Sequence, residues 1–272
     1  MTDPVSLSNK NLVHSLAKGL RVLMAFTSEE PELVIADVAR RAELDNATAF
    51  RLLNTLVLLG FVEKIAETRR FRLTLKCLDL GFNAIARSDL RTLSRPILRN
   101  LVGATSEAAS LGVLDENQIV YVERIQAGLA RLGVDVRIGS RVAVHSTAIG
   151  HAILAFLTRE EQIQILEARP REKLTERTIV DLDKLLARLK QVRARGYAVS
   201  DQENVSGLCV LSAPVFDTDG YPVAAISVAA PTMRTSIANF ERIVVAPLLT
   251  AAAALSRALE ATGGAAHHLA KA

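Results

Sequence analysis

The chain has 272 residues, with 33 lysines and arginines against 29 aspartates and glutamates, and half of its residues are hydrophobic. That is material for one large domain or two ordinary ones with packed cores, and it excludes a chain dominated by disorder, which needs low hydrophobicity or strong net charge. The longest apolar run, Ile243 to Leu255, contains Pro247 and Thr250 and is too short to span a bilayer. The first ten residues lack the charged start and apolar core of a secretory signal, so a cytoplasmic protein is expected. Cys77 and Cys209 fit no metal-ligand or redox spacing and are expected as reduced, buried thiols.

The net charge of +4 is modest, so its distribution matters more. Between residues 46 and 76, Arg51, Lys64, Arg69, Arg70, Arg72 and Lys76 face only Glu63 and Glu67. A solvated face accounts for such a run more often than DNA does, and the surrounding elements must decide.

From Ser15 to Phe26, Leu16, Leu20, Leu23 and Met24 recur at helical spacing, with Ser15 placed to cap the start. After a polar turn containing Pro31, Ile35 to Ala42 forms a short second helix, and Glu43 to Asn46 break it before a third from Ala47 to Leu59, ended by Gly60. Two short helices around a tight turn describe a helix-turn-helix. At about 100° per residue, Ala49, Phe50, Leu52, Leu53, Leu56, Val57 and Leu59 share one broad side of the third helix. Thr48, Arg51, Asn54 and Thr55 occupy a narrow polar arc, into which Leu58 intrudes. Small residues at the N-terminal end, with Thr48 and Arg51 able to reach base edges, suit entry into a major groove. Phe61-Val62-Glu63 and Phe71-Arg72-Leu73 then read as two strands of a wing whose tip, Arg69 and Arg70, can rest on phosphates.

Further along, Lys76 to Ala86 and Leu90 to Ala104 read as helices, the second carrying Pro96, which belongs near a first turn or a kink. Strands follow at Ala109 to Leu114, Ile119 to Arg124 and Arg131 to Val136. Helices follow at Ala148 to Leu157, Arg159 to Ala168 and Leu182 to Arg195, with Glu160, Glu161, Asp181 and Asp183 complementing the dipoles at their starts. Strands return at Tyr197 to Ser200, Cys209 to Phe216 and Val223 to Ala229, and a long Ala-rich helix from Ile237 to Leu259 closes the domain.

No histidine has the pairing of a metal site, and the glycines form no phosphate loop. A small-molecule hydrolase built on Ser146 with an accessory helical domain is the alternative reading, but neighbouring His145 does not by itself make a base and no GxSxG accompanies them. A sensor module whose first domain contacts only proteins is a third reading.

Three strings in the first segment run from Ser15 to Leu23, from Ala49 to Leu56 and from Leu59 to Val62. Three in the second run from His145 to Ala152, from Gly196 to Gly207, and from Ala213 to Asp217 with Gly220 and Ala224 to Val228. In order and spacing these resemble the IclR family of bacterial transcriptional regulators, from about Ser15 to Leu259. The resemblance implies an α+β chain: an N-terminal winged helix-turn-helix over residues 10–75, linker and dimerisation helices over 76–104, and a C-terminal GAF-like α/β effector-binding domain over 105–260. The tail, 261–272, is expected to be disordered. It also implies a transcription regulator of a catabolic operon that is not an enzyme, works as a homodimer or a dimer of dimers, and needs no metal, cofactor or membrane.

The implied partners are double-stranded operator DNA and a small aromatic or carboxylic acid effector. Where the family usually has Gly-Leu-Pro before a Ser-Thr pair, this chain has Glu43-Leu44-Asp45 and then Asn46, Ala47 and Thr48. The DNA-facing set is then Asn46, Ala47, Thr48, Arg51 and Thr55 on the helix, with Arg69 and Arg70 on the wing. Carried over by position, the effector set is Ser146, Ala148 and Gly150, then Asp201, Glu203, Leu208 and Val210, then Ser227 and Ala229. His151 stands where the family often has Lys or Arg and is expected to add a proton-dependent contact to an anion.

Overall fold

A computed structural model describes residues 12–80, 89–126 and 137–262, and the chain divides after residue 84 into two units. In the first, helix α1 (His14–Met24) starts with Val13 at its N-cap and no side-chain cap, so Ser15, expected to cap it, lies within the first turn. Strand β1 (Glu32–Val34) runs directly into α2 (Ile35–Arg41), and a turn through Glu43 leads to α3 (Asn46–Leu58). Asp45 caps α3 by accepting a hydrogen bond from the Thr48 amide at 2.8 Å. Gly60, at φ +77°, supplies the left-handed turn after it.

Strands β2 (Val62–Lys64) and β3 (Arg70–Leu73) form the expected wing, and β1 joins the free side of β3 to give a sheet of order β1-β3-β2. That third strand is too short to show alternation; it is fixed by Leu33, buried opposite Phe71. Val22, Phe26, Leu33, Val38, Leu53 and Phe71 belong to one core. The inner side of α3 is narrower than its sequence suggests. Ala49, Leu53 and Leu56 are buried, whereas Phe50 and Leu59, expected beside them, are 48% and 53% exposed. A further helical segment, α4, covers residues 76–80.

The second unit starts with α5 (Asp89–Thr105), which carries Pro96 within the helix. A hairpin, β4 (Ala108–Asp115) and β5 (Gln118–Ile125), leads to β6 (Arg141–Ala143) and a 3-10 turn, Val144–Ser146. Helices α6 (Ala148–Leu154), α7 (Arg159–Glu167) and α8 (Leu182–Arg195) follow, then β7 (Ala198–Asp201), β8 (Leu208–Phe216), β9 (Pro222–Pro231) and α9 (Ile237–Ala261). The strand expected at 131–136, the end of the helix expected at 76–86 and the tail beyond 262 lie outside the described residues. The outer neighbour of β5 among the described residues is β6, which the sequence did not mark.

The six strands form one antiparallel sheet of order β6-β5-β4-β9-β8-β7. Its two faces carry separate cores. On one, Leu98 and Leu101 of α5 and Leu248 and Leu255 of α9 meet Leu211 and Ile226. Residues 89–104, expected as linker, thus pack in the second unit. On the other face, Ile149 and Ile153 of α6 and Leu185 and Leu189 of α8 meet Ile119 and Ala225. The acidic helix starts act as read: Thr158 and Glu161 form a reciprocal capping box on α7, and Asp181 caps α8 through the Lys184 amide. Among the described residues α9 alone is long and apolar enough to cross a membrane by length and composition, yet its Phe240, Val244, Leu248 and Leu255 stripe packs into the first of these cores. Both the mixed helix-and-sheet class and the N-terminal helix-turn-helix agree with the sequence reading.

Candidate DNA interface and sensor cavity

The basic run of the first unit separates into two groups. Arg70 donates to the Glu32 carbonyl at 3.0 Å, Arg72 pairs with Glu63 at 2.5 Å, and Lys76 donates to the Leu59 carbonyl at 2.9 Å. These three cations hold the wing and the segment after it together. Arg51, Lys64 and Arg69 are exposed and make no ion pair among the described residues. Asn46 and Ala47 at the start of α3 share a shallow groove with Phe50 and Arg69. The helix end and the wing tip therefore present one surface.

Of the expected DNA-facing residues, Asn46, Ala47, Arg51, Thr55, Arg69 and Arg70 are exposed and Thr48 is half-buried. The Thr48 hydroxyl donates to Asp45 at 2.7 Å and the Thr55 hydroxyl to the Arg51 carbonyl at 3.0 Å, so both are turned toward their own helix. The capping contact also holds the Asp45 carboxyl below the usual carboxylate range. Arg51 is left as the long donor on the outward arc, which is the side chain a base edge or phosphate requires.

In the second unit a small cavity of about 40 Å³ lies between the α6 face of the sheet, the start of α6 and the segment from Ser200 to Leu208. Its floor is a set of small residues in register. Arg124 pairs with Ser110, Ser110 with Ser227, and in the adjoining row Ala229 pairs with Val210 and Val210 with Ser200. Ser110, Ser200 and Ser227 are buried in a sheet face where apolar side chains are the rule. Thr147, Ala148 and Ile149 form one wall, and Asn204, Val205 and Leu208 another.

The β5 side depends on a β-bulge. Gly112 pairs with Tyr121 while Ser110 pairs with Arg124, so the register slips by one between Leu111 and Gly112. Tyr121 and Arg124, three residues apart, thereby line the same cavity, while Val122 packs in the core on the opposite face and Glu123 pairs with Arg91 of α5. Simple alternation would place Tyr121 and Arg124 on opposite faces.

Among the expected effector residues, Ala148, Leu208, Val210, Ser227 and Ala229 line this cavity. The other five do not line it. Ser146 is buried beside it, donating to Asn204 Oδ1 at 3.0 Å. Gly150 permits the close approach of α6 to the 3-10 turn: a Cβ there would stand 2.1 Å from the Val144 carbonyl oxygen. His151 is fully buried, and its Nε2 lies 2.6 Å from the His145 carbonyl, to which it must donate. Burial lowers its pKa to about 4, so near neutral pH the ring carries no charge to offer an anion, contrary to the sequence expectation. Asp201 pairs with Arg177 at the edge of the sheet. Glu203 is buried against Arg188 at 2.9 Å, and burial raises its pKa despite that partner.

The effector set read from the sequence missed Ser110, Tyr121, Arg124, Thr147, Ile149 and Ser200, together with Asn204 and Val205. A serine and an arginine standing where apolar residues surround them, in Ala108 to Leu114 and Gln118 to Ile125, were the available signal. The hydrolase reading loses its dyad: the Ser146 hydroxyl is bonded to Asn204, and His145 Nε2 lies 3.0 Å from the Glu172 carbonyl.

A helix-turn-helix with a wing carrying free cations, joined to an α/β unit with a polar-floored cavity, defines a DNA-binding transcription regulator rather than an enzyme. Residues 15–66 match the IclR helix-turn-helix domain, and residues 82–257 match the bacterial transcriptional regulator IclR C-terminal domain. The chain is 38% identical over 244 residues to the HTH-type transcriptional regulator KdgR of Escherichia coli (strain K12), covering 90% of this chain and 92% of that protein. It is 31% identical over 232 residues to the p-hydroxybenzoate hydroxylase transcriptional activator of Acinetobacter baylyi, covering 84% and 85% of the two chains. Among solved structures, that of the regulator RHA06195 from Rhodococcus sp. RHA1 superposes with a TM-score of 0.84 at 35% identity, over 93% of this chain and 100% of the other. The chain belongs to the IclR family of bacterial transcriptional regulators.

Proposed function

We propose that this regulator controls a catabolic operon by binding a two-fold operator as a homodimer, or as a pair of dimers, and that a small organic effector in the second-unit cavity sets the strength of that binding. The observation that carries the effector half is the serine floor: Ser200 and Ser227, both buried residues, line the cavity with hydroxyl groups. A core position without a ligand to meet would not retain such groups cheaply. In support of dimerisation, Leu16, Leu20 and Met24 leave an exposed apolar stripe along α1. The cytoplasm follows as its location from the DNA partner.

An effector changes operator affinity only through a difference in its affinity for DNA-competent and DNA-incompetent states. The experiment is gel-shift binding to the DNA upstream of the chain's own gene and to a genomic fragment library, with excess nonspecific competitor and a salt titration. Discrete complexes that survive competitor and respond to an added organic acid support the reading. Binding that never exceeds the nonspecific level on any fragment overturns it.

A further inference from the structure

We propose that Arg124 is the anchor of the sensor cavity, holding the carboxylate of a small effector whose own hydroxyl or keto oxygen is met by Ser227. This rests on the effector reading above and assigns it a residue and a ligand class.

The argument starts from the guanidinium. Arg124 donates through Nη1 to the Ser110 hydroxyl at 3.0 Å and makes no ion pair among the described residues. Its Nε is buried and has no partner among them. Ser110 thus holds one arm, and the Nε–Nη2 edge, the one that grips a carboxylate with two parallel bonds, has no acceptor among the described residues. An arginine does not escape burial by losing its proton, so an anion is the partner that compensates it. Burial lowers the Arg124 pKa, which registers the same uncompensated cost. Other cavity-lining groups fit the rest of such a ligand. Ser227 stands one strand beyond Ser110 in the same row, and Leu208 and Val205 add apolar surface to the same cavity. A site built to bond ligand oxygens rejects analogues lacking them more strongly than an apolar site rejects a misfit.

The geometry also separates this role from a structural one. An arginine that served only the fold would stabilise the ligand-free protein, whereas an arginine held open for an anion destabilises it until the anion arrives.

The test uses the full chain and thermal unfolding with lactate, glycerate, D-gluconate and 4-hydroxybenzoate at millimolar concentration, each beside its uncharged alcohol or amide counterpart. At least one acid is expected to raise the wild-type Tm while its neutral counterpart does not, and Arg124→Gln is expected to lose about tenfold or more in affinity for it, with Arg124→Lys intermediate. Without ligand, Arg124→Gln should melt at or above the wild-type temperature. Ser227→Ala, which leaves the guanidinium in place, should weaken a hydroxy acid more than the acid lacking that hydroxyl. The assignment is overturned if no acid stabilises the protein, if a neutral counterpart does as well as its acid, if Arg124→Gln binds within about twofold of wild type, or if ligand-free Arg124→Gln melts well below it. Operator binding by wild type is scored separately: its absence removes the regulatory reading, while operator binding with a failed acid panel removes only this assignment.

Discussion

His151 gives its Nε2 proton to the carbonyl of His145, and the contact locks α6 to the 3-10 turn that precedes it. Burial outweighs that contact and keeps the imidazole neutral in the folded protein down to about pH 4, whereas in the unfolded chain it takes up a proton near pH 6.5. Above pH 6.5 both states are neutral at this group and it contributes no pH dependence. Between about 6.5 and about 4 the unfolded state binds one proton more, so stability falls with falling pH by about 1.4 kcal/mol per unit from this residue. Urea denaturation of wild type and His151→Gln across that range should give curves that diverge with this sign; parallel curves would reject it.

Gly150→Ala should be among the most damaging small substitutions in the second unit. The added methyl meets a backbone carbonyl at 2.1 Å, and backbone cannot rotate away as a side-chain tip can. A loss of about 3 kcal/mol is expected. Chemical denaturation measures it, and a change below about 1 kcal/mol would mean that the turn shifts freely.

Arg188 and Glu203 make a pair whose carboxylate side is almost wholly buried. Arg188→Met alone should cost about 3 kcal/mol by stranding that carboxylate. The double variant Arg188→Met, Glu203→Leu should recover most of the loss. A double-mutant cycle in urea decides this, and additive losses would show that the pair is not coupled.

On DNA, Arg51→Ala should weaken specific operator binding by about 1–3 kcal/mol and relax preference at one base position. Arg69→Ala should weaken all DNA alike and reduce the salt slope by about 0.9. Arg70→Ala, whose guanidinium is engaged with the Glu32 carbonyl, should change that slope less than Arg69→Ala does. Equal slopes for the two wing variants would overturn the division of the cations.

The amino-acid sequence by itself determined the family and most of the longer elements, but not the short strands β1 and β6. Helical spacing in Ile35 to Ala42 and Ala47 to Leu59, glycine and acidic residues at helix ends, and alternation in Cys209 to Phe216 are local signals, set by how few residues span a helical turn or a strand pleat. Ala148, Leu208, Val210, Ser227 and Ala229 were legible as cavity residues through the family pattern, and all five line it.

What the tertiary structure alone decided is pairwise and long-range. Whether a cation is free or spent depends on a partner far along the chain, as Arg70 on Glu32 or Arg188 on Glu203, and residue type does not carry that information. His151 had the chemistry of an anion contact, but its burial under the His145 carbonyl makes it a neutral strut. The slip in pairing between β4 and β5 brings Tyr121 and Arg124 to one face, because an unpaired residue in one strand shifts every later side chain to the other side of the sheet. Sequence periodicity cannot register that slip, since it is a property of two strands together, and on it depends which arginine the cavity holds.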